Sequence, residues 1–538
     1  MKPTLTLSRA AVLAAATVLA PLPGGAPQLR AQPAENEPRT ILLVDDAAVL
    51  YRPGTKRVLR PLTRHPANPL LLDDQPWEMT IAYCSVHHDR EGGRYQLWYQ
   101  ALASLSPEAT NVCYAESKDG LHWHRPTLGL FPFKESTANN IVLLGGESYG
   151  ASVVFDPRDP DPSRRYKMAR FELPHGYDPK SAGLYVMFSP DGIHWRRHPE
   201  RLLLGSFGGA GEPPPFRDDA SYKGGMPLGL SDVVDVSYDP RLNKFVIFCK
   251  TWTDSPDGIA IWKRAVARTE SSDFLHWSRP QLMLAPDEFD GPGLENRSPI
   301  QRGVKGQVHP GRRGIQIHGG PMFIRHGVYF SLLQMLDGET TGEMPIELAI
   351  SRDGLDWSRP FRREPFLDVT HSRDKFDGGS IWSNATPVVL DDEIRFYYGA
   401  YSGLWKGELI RKPTGIGLAT MPLDRFAGIT PIDQIGQITL KPLNLRSFTR
   451  GITLNADASQ GSIRVEVLTK DGYRLKGDVK GASTPIYAKE SCIPIRGDSL
   501  RHQVRWKNFN MSFEGLPPSE YQLRLHLERA TVYAINIK

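Results

Sequence analysis

The sequence predicts an all-β fold: a five-bladed β-propeller followed by a C-terminal β-sandwich. Three observations carry this expectation. Four segments repeat one pattern: Ser117-Lys-Asp-Gly-Leu-His-Trp123, Ser189-Pro-Asp-Gly-Ile-His-Trp195, Ser271-Ser-Asp-Phe-Leu-His-Trp277 and Ser351-Arg-Asp-Gly-Leu-Asp-Trp357. Their starts lie 72, 82 and 80 residues apart, and a near-fixed period marks one structural unit used repeatedly. Each copy closes a similar passage of short strands, and a fifth passage lacking the Trp follows. After residue 436 the period stops, and short strands with polar turns take over.

The repeated segment reads as a turn with an aromatic anchor. Gly accepts positive φ, Asp bonds nearby backbone N–H groups, and the Trp four residues after Asp packs on a neighbouring unit. Phe274 replaces the Gly in the third copy. Such turns among short strands mark propeller blades, so Asp119, Asp191, Asp273 and Asp353 are expected at equivalent peripheral turns and in no catalytic role. In the first unit, segment 80–87 leads to Arg94-Tyr-Gln-Leu-Trp-Tyr99 and Asn111-Val-Cys-Tyr-Ala-Glu-Ser117. The second to fourth units run through 151–189, 233–271 and 314–351, and the fifth through 380–426. Their alternation of apolar and polar residues suits strands. Residues 65–436 are therefore assigned to the propeller and 437–538 to the sandwich. Residues 32–64 form an N-terminal segment able to lend a ring-closing strand.

The 538 residues carry a formal net charge of +5. This near balance argues against nucleic acid as a partner and against a polybasic membrane anchor. Lys2 and Arg9 precede the apolar run from Ala10 to Ala20, with small residues around Ala26 and Ala31. Residues 1–31 read as a secretory signal peptide, and the run is short for a membrane span. The chain is expected to be exported, to the periplasm or beyond, as a monomer. The four scattered cysteines suit isolated buried thiols rather than a disulfide scaffold.

Five four-stranded units with a C-terminal sandwich, Asp-Gly-x-x-Trp turns and the opening segment His65-Pro-Ala-Asn-Pro-Leu70 resemble the five-bladed propeller glycoside hydrolases of families 32 and 43, with similarity to family 130. The motifs depart from family 32 at the first blade, where Trp77-Glu78-Met79 replaces its Trp-Met-Asn-Asp-Pro-Asn-Gly. Arg158-Asp159-Pro160 reads as an exposed turn rather than that family's Arg-Asp-Pro, and Glu490-Ser-Cys492 lies in the wrong domain for its Glu-Cys acid. The resemblance implies a three-carboxylate site on separate blades, no required cofactor, and room for a structural calcium ion on the axis beside a histidine.

Glycoside cleavage needs one carboxylic acid to protonate the departing oxygen and one carboxylate to attack carbon or activate water. By position near the starts of inner strands, or inside a strand for Glu347, the catalytic candidates are Asp232, Glu78, Asp377 and Glu347. Trp77, Glu147, Asp235, His318 and Trp382 are candidates for substrate contact. Asp232 leads, at the mouth of Val233-Val-Asp-Val-Ser-Tyr238. Asp235, three residues on, shares its face only if a bulge intervenes. Each candidate has a structural reading beside the functional one: a turn cap for Asp232, a buried ion pair for Glu347, a hydrogen-bonded core histidine for His318. The expected function is hydrolysis of a poly- or oligosaccharide. A non-catalytic carbohydrate-binding propeller and a phosphorylase or lyase on the same scaffold are the alternatives.

Overall fold

The computed structural model describes residues 39–103, 110–145, 147–173, 181–205, 230–254, 261–291, 314–338, 340–404, 412–445, 451–479, 482–507, 513 and 516–537. The signal segment lies outside the described residues. Five antiparallel sheets follow one another along the chain and form the propeller. Their first strands line the ring: Thr80–Asp89, Glu147–Phe155, Ser231–Asp239, Ile315–Ile317 and Ser380–Trp382. Because each blade is covered by its neighbours, these strands are buried on both faces, as in the first, where Thr80 to Val86 are all buried. The middle strands accordingly read as near-continuous apolar runs.

Side-chain hydroxyls join the blades. Ser85 Oγ donates to Ala151 O at 2.7 Å and accepts from Val153 N at 3.0 Å. Ser152 Oγ accepts from Val236 N at 2.8 Å, and Ser237 Oγ lies 3.9 Å from Met322 Sδ. Ser383 Oγ donates to Leu332 O at 2.9 Å, and Thr386 Oγ1 accepts from Val86 N at 3.0 Å. One hydroxyl stands at each of the five joints, and at four of them it satisfies backbone that the ring curvature leaves unpaired.

The four Asp turns are alike in detail, as their sequence implies. Each Asp accepts two backbone N–H groups, for example Leu121 N at 2.8 Å and His122 N at 2.9 Å on Asp119 Oδ1. Asp191, Asp273 and Asp353 repeat this. Every turn also offers a carbonyl to the preceding blade. Arg395 Nη1 donates to Asp119 O, Trp98 Nε1 to Gly192 O, Arg164 Nη2 to Asp273 O and Arg241 Nη1 to Arg352 O. The turns are rivets between blades.

Phe274 has a physical reason. Its φ is +69°, in the region occupied by Gly120, Gly192 and Gly354. A Cβ at Gly192 would stand 2.5 Å from the Trp98 ring, and one at Gly120 would stand 2.4 Å from Tyr397 Oη. Trp98 faces Ser85 across its sheet, and Ala169 faces Ser152 in the same register. The blade before Phe274 thus presents Ala169 where another presents Trp98. The Phe274 ring fills that space within a cluster containing Ala169, Phe171 and Phe188.

The fifth blade takes its outer strand from the N-terminal region. Thr63–Arg64 and Leu71–Leu72 pair with Thr414–Pro422. Between them Asn68 imitates a strand: its Oδ1 accepts from Leu418 N at 2.8 Å and its Nδ2 donates to Leu418 O at 2.9 Å. A side-chain amide thus supplies the pairing across a segment where Pro66 and Pro69 have no N–H.

The C-terminal portion is a curled nine-stranded sheet. Its long strand Ile452–Thr469 pairs with Ile495–Gln503, Tyr521–Glu528 and Thr531–Ile537. Three strands come from the other end of the chain: Arg39–Leu42 pairs with Thr531–Ile537, Val49–Tyr51 with Ile435–Leu440 and Thr55–Leu59 with Ala427–Pro431. The described part of the segment read as 32–64 therefore divides: the strands within 39–59 go to this sheet and Thr63–Arg64 to the ring, and the sheet takes up residues before 437. Strands of three to five residues carry too little pattern to reveal a partner so far away. Leu42, Leu59, Ala427 and Ala534 join Phe330, Phe366 and Phe396 in one core that fastens the sheet to the fourth and fifth blades. All four cysteines are free and buried.

Candidate active site

The inner strand Ser231–Asp239 carries both leading aspartates. Its pairing with Lys244–Asp254 shifts between Ser231 and Val234, so the bulge that would allow Asp232 and Asp235 to depart from simple alternation is present. Their surroundings differ. Asp232 Oδ1 lies 2.5 Å from Lys250 Nζ; the Asp232 side chain is 17% exposed and that of Lys250 5%. Asp235 is 7% exposed, and its carboxyl has no hydrogen-bond partner among the described residues. Burial alone pushes it up to about 8, since desolvation disfavours the charged form. It approaches closely enough to act on the Cys84 thiol, which burial pushes to about 12. Cys84 belongs to the first blade and accepts from Asn384 Nδ2 of the fifth at 3.5 Å, so Asp235 stands where inner strands of three blades meet.

Around this strand lies a constellation that sequence reasoning missed. Lys250 and Trp252 share one face of Lys244–Asp254, and Arg264 is the register partner of Trp252. Lys250 Nζ lies 5.8 Å and the Arg264 guanidinium 4.8 Å from the Trp252 ring. Burial lowers Lys250; Asp232 opposes that fall and Arg264 adds to it. A Lys and a Trp two residues apart at the end of the apolar run Phe245-Val-Ile-Phe-Cys249 are the signal that could have been read.

His318 and Trp382 fall beside this group. Their rings are 5.0 Å apart and perpendicular, and Trp382 also meets Tyr83 at 4.8 Å and Tyr401 at 5.4 Å. Gln334 Nε2 donates to Ser383 Oγ, which turns its Oε1 toward His318 Nδ1 at 3.2 Å. The imidazole therefore carries its proton on Nδ1. Burial, then Lys250 and Arg264, hold it well below the usual imidazole range. His318 is thus a neutral, hydrogen-bonded histidine among aromatics and cations, surroundings that offer a calcium ion little. Among the described residues no three His, Cys, Asp or Glu side chains come close enough to hold a metal.

The remaining candidates are placed otherwise. Glu78 is fully buried, accepting from Tyr99 Oη at 2.5 Å and from Arg125 at 2.9 and 3.1 Å. Trp77, half-buried, donates to Asn140 Oδ1 and packs edge-on to Phe133. Glu347 sits on the third strand of its blade, not the first, and binds Arg359, which also holds Asp290. Asp377 binds Arg64 at 2.6 Å, Tyr398 Oη at 3.0 Å and Thr370 Oγ1 at 3.1 Å. That ion pair fastens the ring-closing strand to the fifth blade. Glu78, Glu347 and Asp377 each have their own arginine, and among the described residues none of them contacts Asp232 or Asp235. Glu147 opens the inner strand of the second blade, and its side chain lies outside the described residues. Arg158 and Asp159 lie on the turn after that strand, with Arg158 over Tyr238 and Asp159 on Lys167.

A separate groove of about 790 Å³ opens on the C-terminal sheet beside Gly54, Gln437, Arg464, Lys489 and His526, and none of the axial residues lines it.

No family model and no curated protein matches the chain. Solved structures are similar in part. One described as a glycoside hydrolase aligns over 68% of this chain and 92% of its own, at 13% identity and a TM-score of 0.42. An N-acetylgalactosamine deacetylase from F. plautii, in complex with blood group B trisaccharide, aligns over 69% and 96%, at 14% identity and a TM-score of 0.41. A structure from work on the GH130 family of mannoside phosphorylases, with hydrolases that target β-1,2 mannosidic linkages, aligns over 67% and 94%, at 14% and 0.40. Likeness at this level does not speak to chemistry. No described helix is long and apolar enough to cross a membrane.

Proposed function

We propose that the protein is a glycoside hydrolase in which Asp235 donates the proton to the departing oxygen and Asp232 serves as the second carboxylate. The supporting observation is the contrast between two acids three residues apart on one axial strand. Asp235 is buried, unpartnered among the described residues and raised to about 8; Asp232 stands at the mouth, paired with Lys250. A carboxyl raised by burial and a second carboxylate beside it are what paired acid and base chemistry requires. On this reading Glu78, Glu347 and Asp377 are structural ion pairs, Trp382 and His318 line the site, and no cofactor is required. Export through residues 1–31 belongs to the same reading, and the N-terminus of the protein recovered outside the cytoplasm tests it.

The deciding experiment screens neutral and acidic poly- and oligosaccharides with product analysis, comparing the protein with Asp235→Asn and Asp232→Asn. Each variant should lose about two orders of magnitude or more in turnover. Near-normal turnover in Asp235→Asn would end the assignment of the acid. Saccharide binding without turnover on any substrate would leave a binding propeller in its place.

A further inference from the structure

Three polar groups near Asp232 share one chemical character. Lys250 ammonium, Arg264 guanidinium and the Trp252 indole N–H are all donors with no acceptor function. The Trp382 indole N–H, close to His318, is a fourth. Lys250 donates toward Asp232, and Arg264 Nη1 donates to Gln316 Oε1 at 3.3 Å. The indole N–H groups of Trp252 and Trp382 are buried with no acceptor among the described residues. Trp252 is 4% exposed and Trp382 2%. Buried donors without acceptors are uncommon in folded proteins and call for an explanation.

We propose that the mouth of the propeller receives an anionic saccharide, whose carboxylate or sulfate ester group is bound by Lys250, Arg264 and the Trp252 indole N–H. This deepens the hydrolase reading and rests on it for the saccharide. A sugar hydroxyl both donates and accepts, so neutral sugars favour sites of mixed character. A group that only accepts matches these clustered donors, and its hydrogen bonds to the two cations are charge-assisted. Geometry gathers the three: both cations lie within 6 Å of the centre of the same indole ring. Electrostatics agree. Arg264 disfavours the charged form of Lys250, a repulsion between two cations that an anion between them would relieve. Asp235, the other acid of the strand, is favoured in its neutral form by burial and leaves the positive charge in place.

The test uses the full-length Asp235→Asn protein, so that probes are bound but not consumed. Titration calorimetry compares uronate oligosaccharides, their methyl esters, sulfated oligosaccharides of the same chain length and inorganic phosphate, at low and at physiological salt. At least one acidic probe should bind ten-fold or more tighter than its neutral counterpart, and salt should weaken it. Preference for uronate or for sulfate tells which group the site takes. Arg264→Gln in the same background should erase the discrimination, Arg264→Lys should restore part of it, and the esters should bind as before. Equal binding of acids and esters overturns the proposal, as does a site filled by inorganic phosphate alone, which would point to phosphorolysis. The hydrolase reading is judged separately: cleavage of neutral glycans by the unmodified protein with no acidic preference sinks this inference and leaves the hydrolase standing.

Discussion

Replacing Asp235 with Asn should raise stability while removing activity, and the pH dependence distinguishes the cause. An ordinary aspartate ionises near 3.8, and burial moves Asp235 to about 8. Below the lower value the carboxyl is protonated in both folded and unfolded chains and contributes no difference. As pH rises from about 4, the unfolded chain gives up this proton while the folded protein keeps it. Folded stability is therefore lost by about 1.4 kcal/mol per pH unit. Above about 8 both states are ionised and the loss levels off. Across the window the ceiling is on the order of 5 kcal/mol. Asn does not titrate. It adds an amide with unpaired donors, an offset of about 1–3 kcal/mol that does not vary with pH. The difference between the proteins, measured by urea titration from pH 5 to 9, should thus grow in favour of Asn with rising pH and flatten above about 8. In activity, kcat/KM of the unmodified protein should fall as pH rises through the same region, because the donor must hold its proton. A stability difference that stays constant across this range would refute the raised ionisation, and with it the reason for naming Asp235 the acid.

Asp232→Asn should lose activity and also stability, by about 3 kcal/mol, because it leaves the Lys250 ammonium buried without its carboxylate; thermal and urea midpoints check this, and an unchanged midpoint would show Lys250 finding another partner. Glu78→Gln should destabilise by a similar amount by stranding Arg125, yet leave turnover per folded molecule within a few-fold; loss of turnover without loss of stability would return Glu78 to the catalytic site. Phe274→Gly should cost about 2–4 kcal/mol, the roughly 3–5 of a deleted buried aromatic less about 1 regained from its left-handed backbone, read as a shift in urea midpoint. Asn68→Ala should cost about 1–3 kcal/mol by leaving Leu418 N and O unpaired, with hydrogen exchange speeding up first at the fifth blade.

The repeat was legible because its chemistry is local. A Ser, an Asp and a Gly within four residues build one turn wherever they stand, so Asp119, Asp191, Asp273 and Asp353 announced the blades, and even the exception at Phe274 marked the right place. The inner strand of Asp232 and Asp235 was also found, as a mixed run of acids and β-branched residues. The pairings that decide roles were not. Asp377 meets Arg64 across 313 residues and Glu78 meets Arg125 across 47; no pattern near either acid names its partner. Asp235 was ranked below Asp232 because its burial depends on inner strands of three blades converging.

The shared sheet also bears on how this protein is made. Arg39–Leu42 lies beside Thr531–Ile537, about 490 residues later in the chain. Blades one to four can pair as they emerge, since their strands follow in order. The fifth must reach back for Thr63–Arg64; Val49–Tyr51 and Thr55–Leu59 wait for residues 427–440, and Arg39–Leu42 waits for residues 531–537. A ribosome making this chain thus handles a propeller whose clasp is missing until residues 531–537 emerge. Exposed strand edges at 39–59 are a hazard during that interval, and charged residues mark them: Arg39, Arg52, Lys56 and Arg57. Cutting the chain near residue 436 would not release a free propeller; it would recreate that unfinished state permanently.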